Sequence, residues 1–418
     1  MPYPQLQSVL GLVVIIFACW LMSEDRGRFQ WRVVLVGLAL QIGLAVLLTM
    51  VPMARNAFMS LNVIVGAIQT ATGAGTSFVF GYVGGAKPPF AVTDPTALTS
   101  IAFQLLPIVL LMSALSALLW HWRVLPVIVR AFAFVLQRTM NIGGAIGVGC
   151  ASNVFLGMIE SPLLIRPYLA KLSRGEMFIL FTVGLATVAG TVLVIYATML
   201  EDKVPGSLGH ILIASIISLP ASIVIARLMI PDDKMTAAEA GVGQNYSSSM
   251  HAVAQGTEDG LRLYLSIMAM LIVVVALVAL ANLILGWVGA AIGFETPLTF
   301  ERILGWLFAP LVWLLGVPWQ EAGTAGALMG VKTVLNEFVA FAQLSALPAD
   351  ALSPRSRLIM LYALCGFANL GSAGMMMSAL SALVPERKEE IVSLSLRAIV
   401  SGTLATSMTG AVIGLLPE

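Results

Sequence analysis

The sequence predicts an all-α polytopic membrane protein, with about eight transmembrane helices plus two re-entrant hairpins built around an inverted repeat. Three observations carry this prediction. The 418 residues are 59% hydrophobic and 10% charged, with a mean hydropathy of +0.96. A soluble domain carries about 25% charged residues, so a chain this poor in charge cannot cover its own surface and takes lipid as its solvent. The apolar residues fall in runs long enough to cross about 30 Å of hydrocarbon. Finally, two polar stretches, each with a carboxylate, recur ahead of two glycine-interrupted spans.

Leu6–Met22 is the first span. No Lys or Arg precedes it and no small-residue cleavage pattern ends it, so it reads as a span rather than a removable leader. Val33–Val51, Ile101–Trp120, Met177–Leu200, Ile211–Ile230 and Leu263–Trp287 follow as long spans, then Leu358–Val384 and Glu390–Leu416 as less uniform ones. Asn56–Gly85 mixes Gly, Thr and Ser with hydrophobics and makes a poor span. Pro231–Gly260 gathers Asp, Lys, Ser, Gln and Asn and reads as a solvated loop. Trp20, Trp31, Trp120 and Trp122 fit an interfacial belt. Cys19, Cys150 and Cys365 lie in apolar stretches and read as packing residues, while His121, His210 and His251 sit at span ends or in loops and read as solvated.

The hairpins are expected at Ile142–Leu172 and Glu321–Leu347, where carboxylates, Asn and small residues interrupt an apolar background. Irregular backbone at membrane depth is tolerated only against protein or a water-filled cavity. The first hairpin precedes a span interrupted by Gly184-Leu-Ala-Thr-Val-Ala-Gly-Thr191, and the second precedes one interrupted by Cys365-Gly-Phe-Ala-Asn-Leu-Gly-Ser-Ala-Gly374. With the N-terminus outside, about two thirds of the 22 Lys and Arg fall on the inner side, Lys332 being counted outside, which favours that orientation. The hairpins then enter from opposite sides, the sequence form of an inverted-topology transporter with its site near the midplane.

Glu160 and Glu337 stand out chemically. A carboxylate at the bilayer centre costs about 2.5–3.5 kcal/mol to insert, so one that persists reads by default as part of a pathway. The plainer alternative is an ion pair with Lys332 or a position at the interface. Asn153, Asn369, Thr187 and Ser372 fall in the same hairpins and interruptions. Taken singly, each reads equally as a residue that satisfies nearby backbone; their clustering is the stronger signal. The sequence has no nucleotide-binding loop, zinc spacing or nucleophile paired with a base, so nothing indicates an enzyme or a cofactor. A net charge of +1 gives no basis for a nucleic-acid partner.

Ala151-Ser-Asn-Val-Phe-Leu-Gly157, Gly184-Leu-Ala-Thr-Val-Ala-Gly190, Asn336-Glu-Phe-Val-Ala340 and Cys365-Gly-Phe-Ala-Asn369 together resemble the concentrative nucleoside transporter family, bacterial and sodium-coupled in type. Phe78-Val-Phe-Gly81 and Gly305-Trp-Leu-Phe-Ala-Pro310 extend the resemblance over nearly the whole chain. It implies a multi-pass homotrimer in the inner (plasma) membrane, embedded in lipid. In each subunit a scaffold (approximately 1–50, 101–120 and 260–292) would surround transport repeats (approximately 142–230 and 320–418). It places Glu337, Asn369 and Ser372 on the ribose hydroxyls with Phe367 beside the sugar. Asn153 and Thr187, with the carbonyls of Leu156 and Val188, would hold sodium. Between the hairpin glycine and Glu160 the family usually has Gln and Thr facing the base; here Met158 and Ile159 stand there. The expected function is sodium-coupled nucleoside import with ribose read by polar groups and base by an apolar surface. Two alternatives are a proton-coupled symporter using Glu160 or Glu337, and a channel or membrane sensor without coupled transport.

Overall fold

The computed structural model describes residues 4–92, 100–201, 203–232, 236, 246–294 and 297–417. Among these, every regular element is a helix. Six helices are long and apolar enough to cross a membrane: Trp31–Met50, Ile101–His121, Arg174–Leu200, Ser207–Met229, Ser249–Ile292 and Pro385–Leu415. The first expected span is the helix Pro4–Leu21. The span expected at Leu358–Val384 is two helices, Pro354–Leu364 and Leu370–Leu383.

Both glycine-interrupted spans are broken where the sequence placed the interruptions. In the first, Arg174–Ala186 stops at Thr187, whose backbone is extended, and the helix resumes at Gly190. In the second, Pro354–Leu364 stops at Cys365 and Asn369 caps the restart, its Oδ1 accepting from the Ser372 N–H. The two expected hairpins are each a helix, a break and a shorter helix. Gly144–Leu156 runs into Gly157, and Glu160–Leu164 follows. Trp319–Val334 runs into Leu335 and Asn336, and Glu337–Ala346 follows. Gly157 has φ 104°, a left-handed conformation that a side chain would strain.

The core is formed by the helices that follow each hairpin. Lys388–Leu415 packs on Arg174–Ala186, Ser207–Met229, Pro354–Leu364 and Pro4–Leu21, while Trp31–Met50 packs on Ser207–Met229. Ile108–His121 pairs instead with Ser249–Ile292. Phe300–Leu314 and Trp319–Val334 bend back on each other by 115°. A Cβ on Gly326 would come within 2.6 Å of the Gly305 carbonyl oxygen, so small residues allow this close crossing.

Three details differ from the sequence expectations. The polar stretch ending at Gly260 is already helical from Ser249, because the Ser248 side chain accepts the His251 N–H and starts the helix early; residues 233–235 and 237–245 of that loop lie outside the described residues. His210 is not simply solvated: its Nδ1 lies 3.0 Å from the Tyr362 hydroxyl. Lys332, counted above as an outer charge, is fully buried. At the membrane surface, Glu24 accepts bonds from Arg174 and Arg397, and the Arg174 hydrogen bond holds its carboxyl below the usual range.

Candidate functional site

The breaks in the two repeats converge. A Cβ on Gly366, in the second broken span, would come within 3.0 Å of the Ala186 carbonyl oxygen at the end of the first. A Cβ on Gly190 would come within 2.9 Å of the Phe155 carbonyl oxygen in the first hairpin. Backbone groups freed at such breaks need partners, and here side chains supply several of them.

Glu337 is the first residue of its helix, placed there by Asn336, whose Oδ1 accepts the Val339 N–H at 2.9 Å. The helix N-terminus favours its negative charge. Its carboxylate takes two hydrogen bonds: the Tyr196 hydroxyl donates to Oε1 at 2.8 Å and the Asn369 amide donates to Oε2 at 2.9 Å. Asn369 is in turn fixed because its Oδ1 accepts the Ser372 N–H at 2.8 Å. The ring of Tyr196 stacks on Phe341, with centroids 4.7 Å apart. Glu337 is thus presented in one orientation, with carboxylate lone pairs to spare.

This cluster opens onto a cavity of about 540 Å³, within the size range of a small-molecule site. All seven residues expected to touch substrate line it: Met158, Ile159, Glu160, Glu337, Phe367, Asn369 and Ser372. Thr191, Tyr196, Asn336 and Ser266 add polar groups, and Leu263, Ile267 and Met270 close it with an apolar wall from Ser249–Ile292. Met158 is buried, whereas Ile159 is 37% exposed.

The four residues expected at the ion site lie around the first break. Asn153 and Thr187 are buried and bonded to each other, Nδ2 to Oγ1, at 2.6 Å. Asn153 Nδ2 also donates to the Val183 carbonyl at 3.1 Å, while the Ser161 hydroxyl donates to Asn153 Oδ1 at 3.2 Å. Val188 is buried and its N–H donates to Ser215 at 3.3 Å; Leu156 lines the cavity. Amide, hydroxyl and carbonyl oxygens together suit a hard cation.

Sequence reasoning missed Tyr196 and Asn336 as cavity residues. A phenol in the otherwise apolar run Val192-Leu-Val-Ile-Tyr-Ala197, and an Asn directly before a buried Glu, were the available signals. Lys332 does not pair with Glu337; its Nζ donates to the Ala363 carbonyl at 2.8 Å and to Thr406 Oγ1 at 2.6 Å.

Family models described as the Na+ dependent nucleoside transporter N-terminus and C-terminus match residues 10–83 and 210–414, and one described as nucleoside recognition matches residues 102–203. The nucleoside permease NupC of Helicobacter pylori is 34% identical, covering 99% of this chain and 98% of the permease. Human solute carrier family 28 member 3 is also 34% identical, over 99% of this chain and 60% of the carrier. Among solved structures, CNTnw in an inward-facing substrate-bound state superposes with a TM-score of 0.88, at 33% identity over 98% of this chain and 97% of CNTnw. The chain therefore belongs to the concentrative nucleoside transporter family.

Proposed function

We propose that this protein imports nucleosides by sodium symport. The observation that carries this reading is the fixed Glu337–Asn369–Ser372 cluster at the cavity, whose break packs through Gly366 on Ala186, next to Thr187 in the other repeat. A carboxylate can accept two ribose hydroxyls in charge-assisted bonds, with Asn369 and Ser372 supplying further polar contacts and Phe367 packing beside the sugar. Glu160 reaches the substrate from the opposite hairpin. Met158 and Ile159 offer the base an apolar surface without hydrogen-bond readout.

Sodium would bind through Asn153, Thr187 and the carbonyls of Leu156 and Val188. Ion binding there orders the first break, which abuts the second through Gly366, and so favours the substrate site. In the expected division the scaffold is approximately 1–50, 101–120 and 260–292, and its helices Pro4–Leu21 and Trp31–Met50 reach the repeats by packing on Ser207–Met229 and Lys388–Leu415. The exposed face of Ser249–Ile292 is available to lipid and to the other subunits of the proposed trimer in the inner membrane. The test is uridine binding by calorimetry in sodium and in potassium buffers at fixed pH. Tighter binding in sodium, with 2′- and 3′-deoxyuridine much weaker, supports the reading; equal affinity in both buffers contradicts it.

A further inference from the structure

Lys332 is a fully buried lysine whose hydrogen bonds go to Ala363 and Thr406 and to none of the side chains that line the cavity. Its surroundings repeat those of Asn153. Asn153 lies near the end of the first hairpin helix, Gly144–Leu156, and donates to Val183 O, a carbonyl in the last turn before the first break. Lys332 lies near the end of the second hairpin helix, Trp319–Val334, and donates to Ala363 O, a carbonyl in the last turn before the second break. The correspondence extends to the next helix. Ser215, from Ser207–Met229, accepts the Val188 N–H at the first break. Thr406, from Lys388–Leu415, accepts from Lys332 beside the second break, and its methyl group faces Gly366.

The hydrogen-bond directions suit a charged donor. Thr406 uses its own hydroxyl proton on Thr403 O, at 3.1 Å, so its oxygen presents lone pairs to Nζ. The ammonium therefore meets a carbonyl and a hydroxyl oxygen, the same kinds of ligand as at Asn153 and Thr187. Buried ammonium groups are costly to desolvate and are retained where their charge is compensated. The helix C-terminus at Leu364 carries partial negative charge on its last carbonyls, among them Ala363 O, which Lys332 meets.

Resting on the proposed sodium site in the first repeat, we infer that Lys332 is the resident cation of the second repeat. Its tethered charge takes the place that a mobile ion takes in the first. It holds the Cys365–Asn369 break in the geometry that presents Asn369 and Ser372 to substrate. Lys332 is a positioning residue: it acts through the break and does not line the cavity. Only the first repeat then exchanges its cation with solution.

The test compares uridine affinity of the full-length protein as a function of sodium concentration, at constant ionic strength, for wild type, Lys332→Met and Lys332→Asn. Lys332→Met keeps the length and removes the charge; it is expected to bind uridine at least tenfold more weakly. Lys332→Asn gives the second repeat the side chain of the first, and its log Kd should depend on log sodium concentration with a slope one unit steeper than wild type. A merely structural lysine would not move that slope. Uridine affinity of Lys332→Met within twofold of wild type overturns the inference, and so does an unchanged slope in Lys332→Asn. Where Lys332→Asn does not assemble, the Lys332→Met ratio decides alone. Where neither lysine variant assembles, Thr406→Val decides by the same criterion, a tenfold weakening against affinity within twofold. A wild-type affinity that ignores sodium contradicts the proposed function instead, and the Lys332→Met ratio is still read in that case.

Discussion

Arg174–Leu200 and Ser249–Ile292 both pass as membrane spans by length and apolarity, yet 94% of the most apolar window of the first is buried inside the protein and only 6% of the second. The difference is written in their polar residues. Thr182, Thr187 and Tyr196 punctuate the buried span, and each has a partner: Ser401 at 2.8 Å, Asn153 and Glu337. Residues 267–281 of the exposed helix contain no polar side chain at all. A lipid-facing helix has no partners to offer a polar group, whereas a helix surrounded by protein can place one at a site. Apolarity identifies a span; interruptions of apolarity identify its neighbours.

Truncating one side chain in Ser207–Met229, a span buried to the same 94%, and one in Ser249–Ile292 should expose this contrast most strongly. Ile217 in Ser207–Met229 is fully buried and Leu277 in Ser249–Ile292 is 57% exposed. Ile217→Ala leaves a packing defect expected to cost about 2–5 kcal/mol, read as a lowered Tm of the detergent-solubilised protein. Leu277→Ala should stay within about 0.5 kcal/mol. Equal losses would mean that the exposed face is covered by another subunit, which cross-linking through that face would then reveal.

The next largest effect concerns the buried polar cluster. In Glu337→Gln the amide can turn so that its oxygen accepts from Asn369 and its NH2 donates to the Tyr196 hydroxyl, but the charge and one acceptor oxygen are lost. Uridine affinity should fall by about tenfold to a hundredfold, the value of a charge-assisted bond of about 1.5–3 kcal/mol. Tyr196→Phe keeps the stack on Phe341 and loses one bond, so its loss should be smaller. Calorimetry that ranks Tyr196→Phe above Glu337→Gln would contradict the assignment.

Asn153→Ala and Thr187→Ala should each raise the sodium concentration for half-maximal uptake while leaving assembly intact. Coupling is reciprocal, so the variants should also weaken the tightening of sodium by uridine and of uridine by sodium by one common factor. Unequal factors would break the two-site scheme.

A subtler change is expected at the base. Apolar pockets discriminate by only about 1–3 kcal/mol per methylene, so the wild type should tolerate a range of bases or favour larger purines. The double change Met158→Gln with Ile159→Thr should reorder purine and pyrimidine nucleosides in a competition assay. The penalty for a missing ribose hydroxyl should not move. An unchanged order would mean that these residues do not face the base.

The smallest effect lies at the surface. Glu24 binds Arg174 and Arg397, and its carboxyl is held below its usual range. A depressed folded-state value means stability that is present above the unfolded carboxylate range of about 4.3 and lost as pH falls through the folded value. The pair is partly exposed, so Glu24→Gln should cost under about 1 kcal/mol and should flatten the acid limb of a Tm-against-pH curve.

Much of this was legible in the chain. Both interrupted spans were visible because Gly, Thr and Asn cannot be mistaken for lipid-facing residues, and the seven substrate-facing candidates all reached one cavity. Three things were not legible. Tyr196 sits in an apolar run and gains its meaning only when Glu337 arrives from 141 positions away. Lys332 was counted as an outer charge because counting basic residues cannot tell a solvated ammonium from a buried amine whose acceptors, Ala363 and Thr406, are brought in by other helices. The packing of Pro4–Leu21 and Trp31–Met50 on Ser207–Met229 and Lys388–Leu415 depends on contacts that hydropathy does not encode.

The most direct test of sodium-coupled nucleoside import is uptake of labelled uridine into proteoliposomes under an inward sodium gradient, with potassium and inward proton gradients as controls. Accumulation above equilibrium that requires sodium and is abolished by Glu337→Gln is the predicted result. Accumulation that follows the proton gradient and ignores sodium, or uridine that only equilibrates, would contradict it.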